Sequence, residues 1–205
     1  SDDVEEDMER DKQKYLELLA KEYPTREAAC REIINLSAIL NLPKGTEHFM
    51  SDLHGEYEAF CHIINNCSGV IKEKVERIFA EQLSPQERCE LCTLIYYPAE
   101  KLNALKMQGT LVEDWYRANL QYLILAAKDV SSKYTRSKVR KAMPEEFAYI
   151  IDELLHMQVD ADDNQIEYHR QIIDTIIHIR IADEFIIALA ELIKRLAVDH
   201  LHIVG

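Results

Sequence analysis

Apolar positions recur at helical spacing along most of this chain and collapse into short unbroken runs at only two places. Residues 4–22 read as an amphipathic helix with Tyr15, Leu16, Leu18 and Leu19 on its apolar side, ended by Pro24. Thr25 is the cap of a second helix that runs to Leu40. Pro43 and Gly45 make a loop into the first short run, residues 48–51, which reads as a strand. Helices follow over residues 56–65 and 70–81, separated by Ser68-Gly69. Ser84-Pro85, a cap followed by a first-turn proline, opens another that reaches Tyr97 and is broken by Pro98. Further helices are expected over residues 111–134 and 145–157. Asp163 then leads one long helix to about Val198, and residues 201–204 are the second short run.

Composition agrees with a mostly helical chain. Five glycines and five prolines in 205 residues leave little material for hairpins. With 47% hydrophobic and 30% charged residues, the chain can build one or two small domains with a proper core. The net charge of −13 disfavours non-specific nucleic-acid binding. It does not exclude a phosphorylated substrate, because bound metal ions reverse a local field. The richest apolar stretch, residues 172–198, carries Asp174, His178, Arg180, Asp183, Glu184, Glu191, Lys194 and Arg195, so it is a buried amphipathic helix. No run approaches the ~20 apolar residues a membrane span needs. An odd number of cysteines, five, and an acidic start with no apolar leader point to a reducing cytoplasm.

The chemistry concentrates where the first strand ends, in Glu47-His48-Phe49-Met50-Ser51-Asp52-Leu53-His54-Gly55-Glu56-Tyr57. Asp52 and His54 stand two residues apart at the strand end, so both can turn toward one point above it. Gly55 permits a sharp turn into the next helix. A carboxylate and an imidazole converging there form half of a site for a hard divalent metal. Two-metal phosphate-ester hydrolysis needs such a half-site together with a bridging carboxylate.

The Asp-x-His-Gly spelling resembles the first signature of the calcineurin-like metallophosphoesterases. The longer string over residues 42–74, LPKGTEHFMSDLHGEYEAFCHIINNCSGVIKEK, resembles the class III fructose-1,6-bisphosphatases of Firmicutes. The second apolar run, His200-Leu201-His202-Ile203-Val204-Gly205, ends in a glycine that looks like the first residue of the superfamily's next signature. The resemblance therefore implies an N-terminal piece of a longer enzyme. In it, residues 1–55 hold the first helices, the first core strand and the metal turn. Residues 56–199 form an inserted helical domain, and residues 200–205 begin the second core strand. The fold class implied is mostly α here, with two short parallel strands of an incomplete α/β metallophosphatase core.

The resemblance also implies an activity: hydrolysis of the 1-phosphate of fructose 1,6-bisphosphate, a gluconeogenic step using two divalent ions, expected to be Mn²⁺. Asp52 and His54 would hold one ion, and the bridging carboxylate would come from the signature beyond residue 205. Partners implied are a sugar bisphosphate and further copies of the same chain, with neither nucleic acid nor membrane. The competing readings are a helical interaction or regulatory module without chemistry, and a related metallophosphatase with another substrate.

Other residues invite weaker readings. His48 shares a strand face with Met50 and Asp52 and reads as a partly buried structural histidine. Glu56 reads either as a group that steadies a metal ligand or as a complement to the N-terminus of the helix that follows, the second being preferred. Cys89 and Cys92 share a helix face, but a structural zinc wants two more ligands, so buried thiols are the better reading. Glu153 with His156, and Asp174 with His178, are read as ordinary polar pairs. Lys128, Lys133, Arg136, Lys138, Arg140 and Lys141 form the one basic cluster, read as a solvated segment or as a reach toward a phosphate.

Overall fold

A computed structural model of the chain describes residues 2–43, 45–51, 54–66, 69–157 and 160–204. Its contacts divide into two units, Ser1–Pro43 and Lys44–Gly205. The first holds α1 (Asp2–Glu22) and α2 (Arg26–Ile39). Pro24 and Thr25 separate them, and the Thr25 hydroxyl accepts the Ala28 N–H at 3.1 Å. Within this unit Tyr15, Leu16 and Leu18 on α1 and Ile33, Ile34 and Leu36 on α2 are exposed.

The second unit begins and ends with a strand. In chain order it contains β1 (Glu47–Ser51), α3 (Tyr57–Asn66), α4 (Val70–Phe79), α5 (Pro85–Tyr96), α6 (Pro98–Gln108) and α7 (Glu113–Ser131). Then come α8 (Arg136–Ala142), a 3₁₀ turn over Glu145–Phe147, α9 (Ala148–Leu155), α10 (Asp163–His178), α11 (Ala182–Ala197) and β2 (His200–Val204). The core is built around α11, whose Phe185, Ile186, Leu189, Leu192, Ile193 and Leu196 are all buried. That helix packs against α7, α5 and α6. Opposite it, Leu120, Leu123 and Ala127 of α7 and Leu91, Leu94 and Ile95 of α5 are buried as well. Each fully buried aliphatic or aromatic side chain of this kind contributes roughly 1.5–3 kcal/mol.

Local chemistry explains the helix starts. At α5 a complete capping box forms: Ser84 N–H donates to Glu87 at 2.8 Å, the Ser84 hydroxyl accepts the Glu87 N–H at 3.3 Å, and Pro85 occupies the first turn. Asp162, rather than Asp163, caps α10 by accepting the Gln165 N–H at 2.9 Å. Pro98 breaks the predicted helix and also opens the next, α6, because a first-turn proline loses no hydrogen bond.

The expected single helix over 163–198 is two. It breaks at Arg180, which takes a left-handed φ of 64°. Arg180 N–H donates to Ile177 C=O (3.1 Å) and Ile181 N–H to Ile176 C=O (3.2 Å), the paired bonds of a Schellman stop. The basic segment after residue 135 is also helical: α8 is started by the Thr135 hydroxyl accepting the Lys138 N–H. Residues 145–157 begin as a 3₁₀ turn, and the α-helix there runs only over Ala148–Leu155.

The two strands pair with each other in parallel, Glu47 opposite His200 through Ser51 opposite Val204. Parallel strands need a long crossover, and here it consists of α3 to α11.

Candidate functional site

The strand pair is fixed at its beginning by a carboxylate. Asp199 follows α11 and precedes β2, and its side chain is only 6% exposed. Its Oδ2 accepts the Thr46 N–H at 2.8 Å, while Asp199 N–H donates back to Thr46 C=O at 2.9 Å. Two ammonium groups neutralise it, Lys133 and Lys138, each at 3.3 Å. Lys133 is itself buried and also donates to the Ala197 carbonyl at 3.2 Å. Tyr134 lies between them, its ring under the Lys138 ammonium at 4.3 Å and its hydroxyl donating to Leu196 C=O at 3.0 Å. Burial pushes the Asp199 carboxyl up. The Tyr134 hydroxyl, the Lys133 charge and the Thr46 N–H outweigh that and hold it below the usual carboxylate range.

Gly45 belongs to the same clamp. A Cβ built there would lie 1.7 Å from Asp199 Oδ2 and 2.2 Å from its Cγ. The glycine is required for space, so that backbone and carboxylate can meet. The clamp sets which residue of β1 faces which residue of β2, and so places the two strand ends together.

Along the strands, His48 and Met50 are half-buried, while Glu47, Phe49 and Ser51 are exposed. This is the face alternation expected for His48. Phe49 stacks on His202 with ring centroids 4.5 Å apart. After Ser51 the chain passes through Asp52 and Leu53, which lie outside the described residues, as Gly205 does after β2. His54 and Gly55 then take consecutive left-handed conformations, φ 47° and 75°. No described residue crowds a Cβ at Gly55, and its φ of 75° is one that glycine adopts freely. The Glu56 carbonyl accepts the Phe60 N–H and α3 begins. Glu56 thus stands at the N-terminal end of the helix, where a carboxylate is favourable.

Of the two expected metal ligands, His54 lies in this turn and Asp52 falls outside the described residues. Among the described residues no group of three or more His, Cys, Asp or Glu side chains could hold a metal ion. They therefore provide no complete coordination sphere by themselves.

A family model described as Firmicute fructose-1,6-bisphosphatase matches residues 14–205. The chain belongs to this family. Among its relatives, the class 3 fructose-1,6-bisphosphatase of Clostridium acetobutylicum is 58% identical over 196 residues, covering 96% of this chain and 29% of the relative. The class 3 enzyme of Bacteroides fragilis is 57% identical over 192 residues, 94% of this chain and 29% of the relative. That of Clostridium botulinum is 56% identical over 196 residues, 96% and 29% respectively. The chain thus spans less than a third of the length of the curated relatives it matches. No solved structure matches it.

The remaining candidates of this family member fall elsewhere on the helical body. Cys92 is buried in the core, and burial pushes its thiol up to about 11, whereas Cys89 is exposed. His156 Nδ1 hydrogen-bonds the Asp152 carbonyl at 2.6 Å, and the Glu153 carbonyl meets His169 Nε2 at 3.0 Å. Asp174 pairs with Arg117 at 3.0 Å, and His178 is exposed.

The basic cluster is largely neutralised. Lys133 and Lys138 face Asp199, while Arg140 (2.9 Å) and Arg136 (3.9 Å) face Asp152. The clamp residues Thr46, Lys133 and Asp199 were invisible to sequence reasoning as a group. The only local signal was an acidic residue directly before an apolar run.

Proposed function

We propose that the protein containing this chain hydrolyses the 1-phosphate of fructose 1,6-bisphosphate, a gluconeogenic reaction in the cytoplasm. The observation that carries this is the parallel pairing of β1 with β2, in a chain of this family. Parallel strands send both of their following segments out at the same edge, where open α/β sheets bind ligands. Ser51 and Val204 are partners in that register, so the two strands end together, at the same edge of the pair. In this reading Asp52 and His54 hold one of two divalent ions, Mn²⁺. Such ions polarise a phosphoryl oxygen and lower the pKa of a water.

The chain's own contribution is positional. The Asp199 clamp fixes the strand register, and the left-handed pair His54-Gly55 turns the backbone sharply into α3. The helices between the strands act as a domain inserted into the catalytic core, and the protein works as a homo-oligomer.

The test is phosphate release from fructose 1,6-bisphosphate with Mn²⁺ by the protein as encoded, beside Asp52→Asn and His54→Asn. Each substitution is expected to lower kcat by about a hundredfold or more while leaving the helical circular dichroism unchanged. Wild-type activity retained by Asp52→Asn would overturn the assignment. The 205-residue chain alone is expected to release no phosphate above an Asp52→Asn control. Light scattering on both forms measures the association.

A further inference from the structure

Lys128 is an anomaly in a chain with 37 Asp and Glu against 24 Lys and Arg. It sits half-buried on α7 and makes no ion pair among the described residues. Its Nζ donates to a single carbonyl, that of Met157, at 3.2 Å. Burial holds its ammonium below the usual lysine range, the mark of a cation losing water without gaining an anion.

The side chain borders a cleft of about 250 Å³ between α7, α8 and the end of α9. Arg136 and His156 line the same cleft, with Ser131, Ser132 and Tyr134; no carboxylate among the described residues lines it, and Asp152 reaches Arg136 and His156 from behind. The serines are committed elsewhere, donating to the Ala127 and Asp129 carbonyls, so the cations are the donors. Arg136 is the surplus member of its own cluster. Asp152 Oδ2 is hydrogen-bonded by Arg140 at 2.9 Å, whereas Arg136 stands at 3.9 Å, beyond hydrogen-bond reach. His156 Nδ1 already has its acceptors, the Asp152 carbonyl at 2.6 Å and Asp152 Oδ1 at 3.2 Å, so the imidazole is a wall of the cleft and not one of its charged contacts. Two helices, α7 and α8, thus bring to one concave space an ammonium with no ion pair among the described residues and a guanidinium that shares Asp152 without hydrogen-bonding it. A small oxyanion would satisfy both.

We propose that this cleft is an oxyanion site for a small phosphorylated ligand, with Lys128 and Arg136 as its charged contacts. It stands apart from the turn at His54 and does not depend on the metal reading there. One wall of the cleft, Tyr134, is also the ring on which Lys138 of the Asp199 clamp rests. A bound anion would therefore lie one side chain away from the strand pair.

The experiment titrates this chain with inorganic phosphate, against chloride at matched ionic strength, following amide chemical shifts and the thermal midpoint. Saturable shifts confined to residues around 128–136 and 155–157, with a raised midpoint, are expected. Arg136→Ala removes a side chain that is 62% exposed, so folding is unaffected. It should weaken phosphate about tenfold or more, the usual cost of a charged hydrogen bond. Lys128→Met keeps the apolar stem, weakens phosphate similarly, and leaves the midpoint without phosphate unchanged or higher. Glycerol phosphate binding at least as tightly supports a phosphorylated metabolite, and its exclusion overturns that ligand class. The site is refuted if phosphate gives no saturable shifts, if the shifts centre on residues near His54, or if both variants bind like the wild type.

Discussion

Replacing Gly45 with alanine should loosen the strand pair without touching the helical core. The new Cβ would stand 1.7 Å from Asp199 Oδ2, 2.2 Å from Cγ and 2.8 Å from Cβ, all inside any tolerable contact. The carboxylate would have to retreat by more than about 1 Å. It is not a free-swinging group, because Thr46 N–H, Lys133 and Lys138 all hold it. If Asp199 keeps its lysines and gives up Thr46, one charged hydrogen bond is lost, about 1.5–3 kcal/mol. If it abandons Lys133 as well, a buried ammonium is left without its carboxylate, about 3–5 kcal/mol.

A cost of about 2–4 kcal/mol corresponds to a fall of about 30- to 1,000-fold in amide protection at Thr46 and His200. Native-state hydrogen exchange reads those amides, while Trp115 fluorescence in a denaturant melt reads the helical body. Unchanged protection at Thr46 and His200 would refute the argument. So would an equal penalty for Gly45→Ala in an Asp199→Ala background, since the 1.7 and 2.2 Å clashes with the carboxylate are gone there and only the 2.8 Å contact with the residue-199 Cβ is left. The clamp also sets a pH window. Asp199 is more acidic folded than unfolded, so its contribution is present above about pH 4 and is lost as pH falls through the lower folded value.

Three further outcomes are expected. Arg180→Gly should stabilise the chain by about 0.5–1 kcal/mol in a thermal melt, because a left-handed non-glycine costs about 1–2 kcal/mol and glycine's unfolded-state entropy returns part of it. Destabilisation would mean that the Arg180 side chain holds the break between α10 and α11. Ser84→Ala should cost about 1 kcal/mol, some 2–4 °C in the melting midpoint, by opening the capping box of α5. No change would show that Pro85 alone starts the helix. In alkylation near pH 8 followed by peptide mapping, Cys30 and Cys89 should react in the native chain and Cys92 only after unfolding. Equal rates at Cys89 and Cys92 would contradict the buried thiol.

Helix starts were the most legible part of the fold, because a cap is a local event. Thr25 and Ser84-Pro85 announce themselves in the chain and appear at the helix ends in the structure. The stop at Arg180 was hidden, since neither glycine nor proline marks it and apolar periodicity runs on across it. α8 was masked by its own charge: a run of basic residues reads as solvated until Asp152 and Asp199 are seen to neutralise it. Both strands could be found as apolar runs, but their register could not, because it depends on contacts between Thr46 and Asp199, 153 residues apart. Gly45 looked like an ordinary loop glycine, and its need for space exists only once Asp199 arrives. At the candidate site, Gly55 foretold the turn, while the gathering of Lys128, Arg136 and His156 around one cleft required the packing of α7, α8 and α9.

The 153-residue interval between Thr46 and Asp199 has a consequence for how the protein is made. At ordinary synthesis rates, about 8–30 s separate the emergence of the two residues from the ribosome. Throughout that time β1 waits for β2, the strand it pairs with among the described residues, and its backbone groups are open to pairing with a neighbour on the same message. The strand is suited to that wait: it is five residues long, and Glu47, His48 and Ser51 interrupt its apolar character. The helices can collapse meanwhile through contacts closer in sequence. The strand pair would then close last, and its protection from exchange would mark a nascent chain that has finished folding.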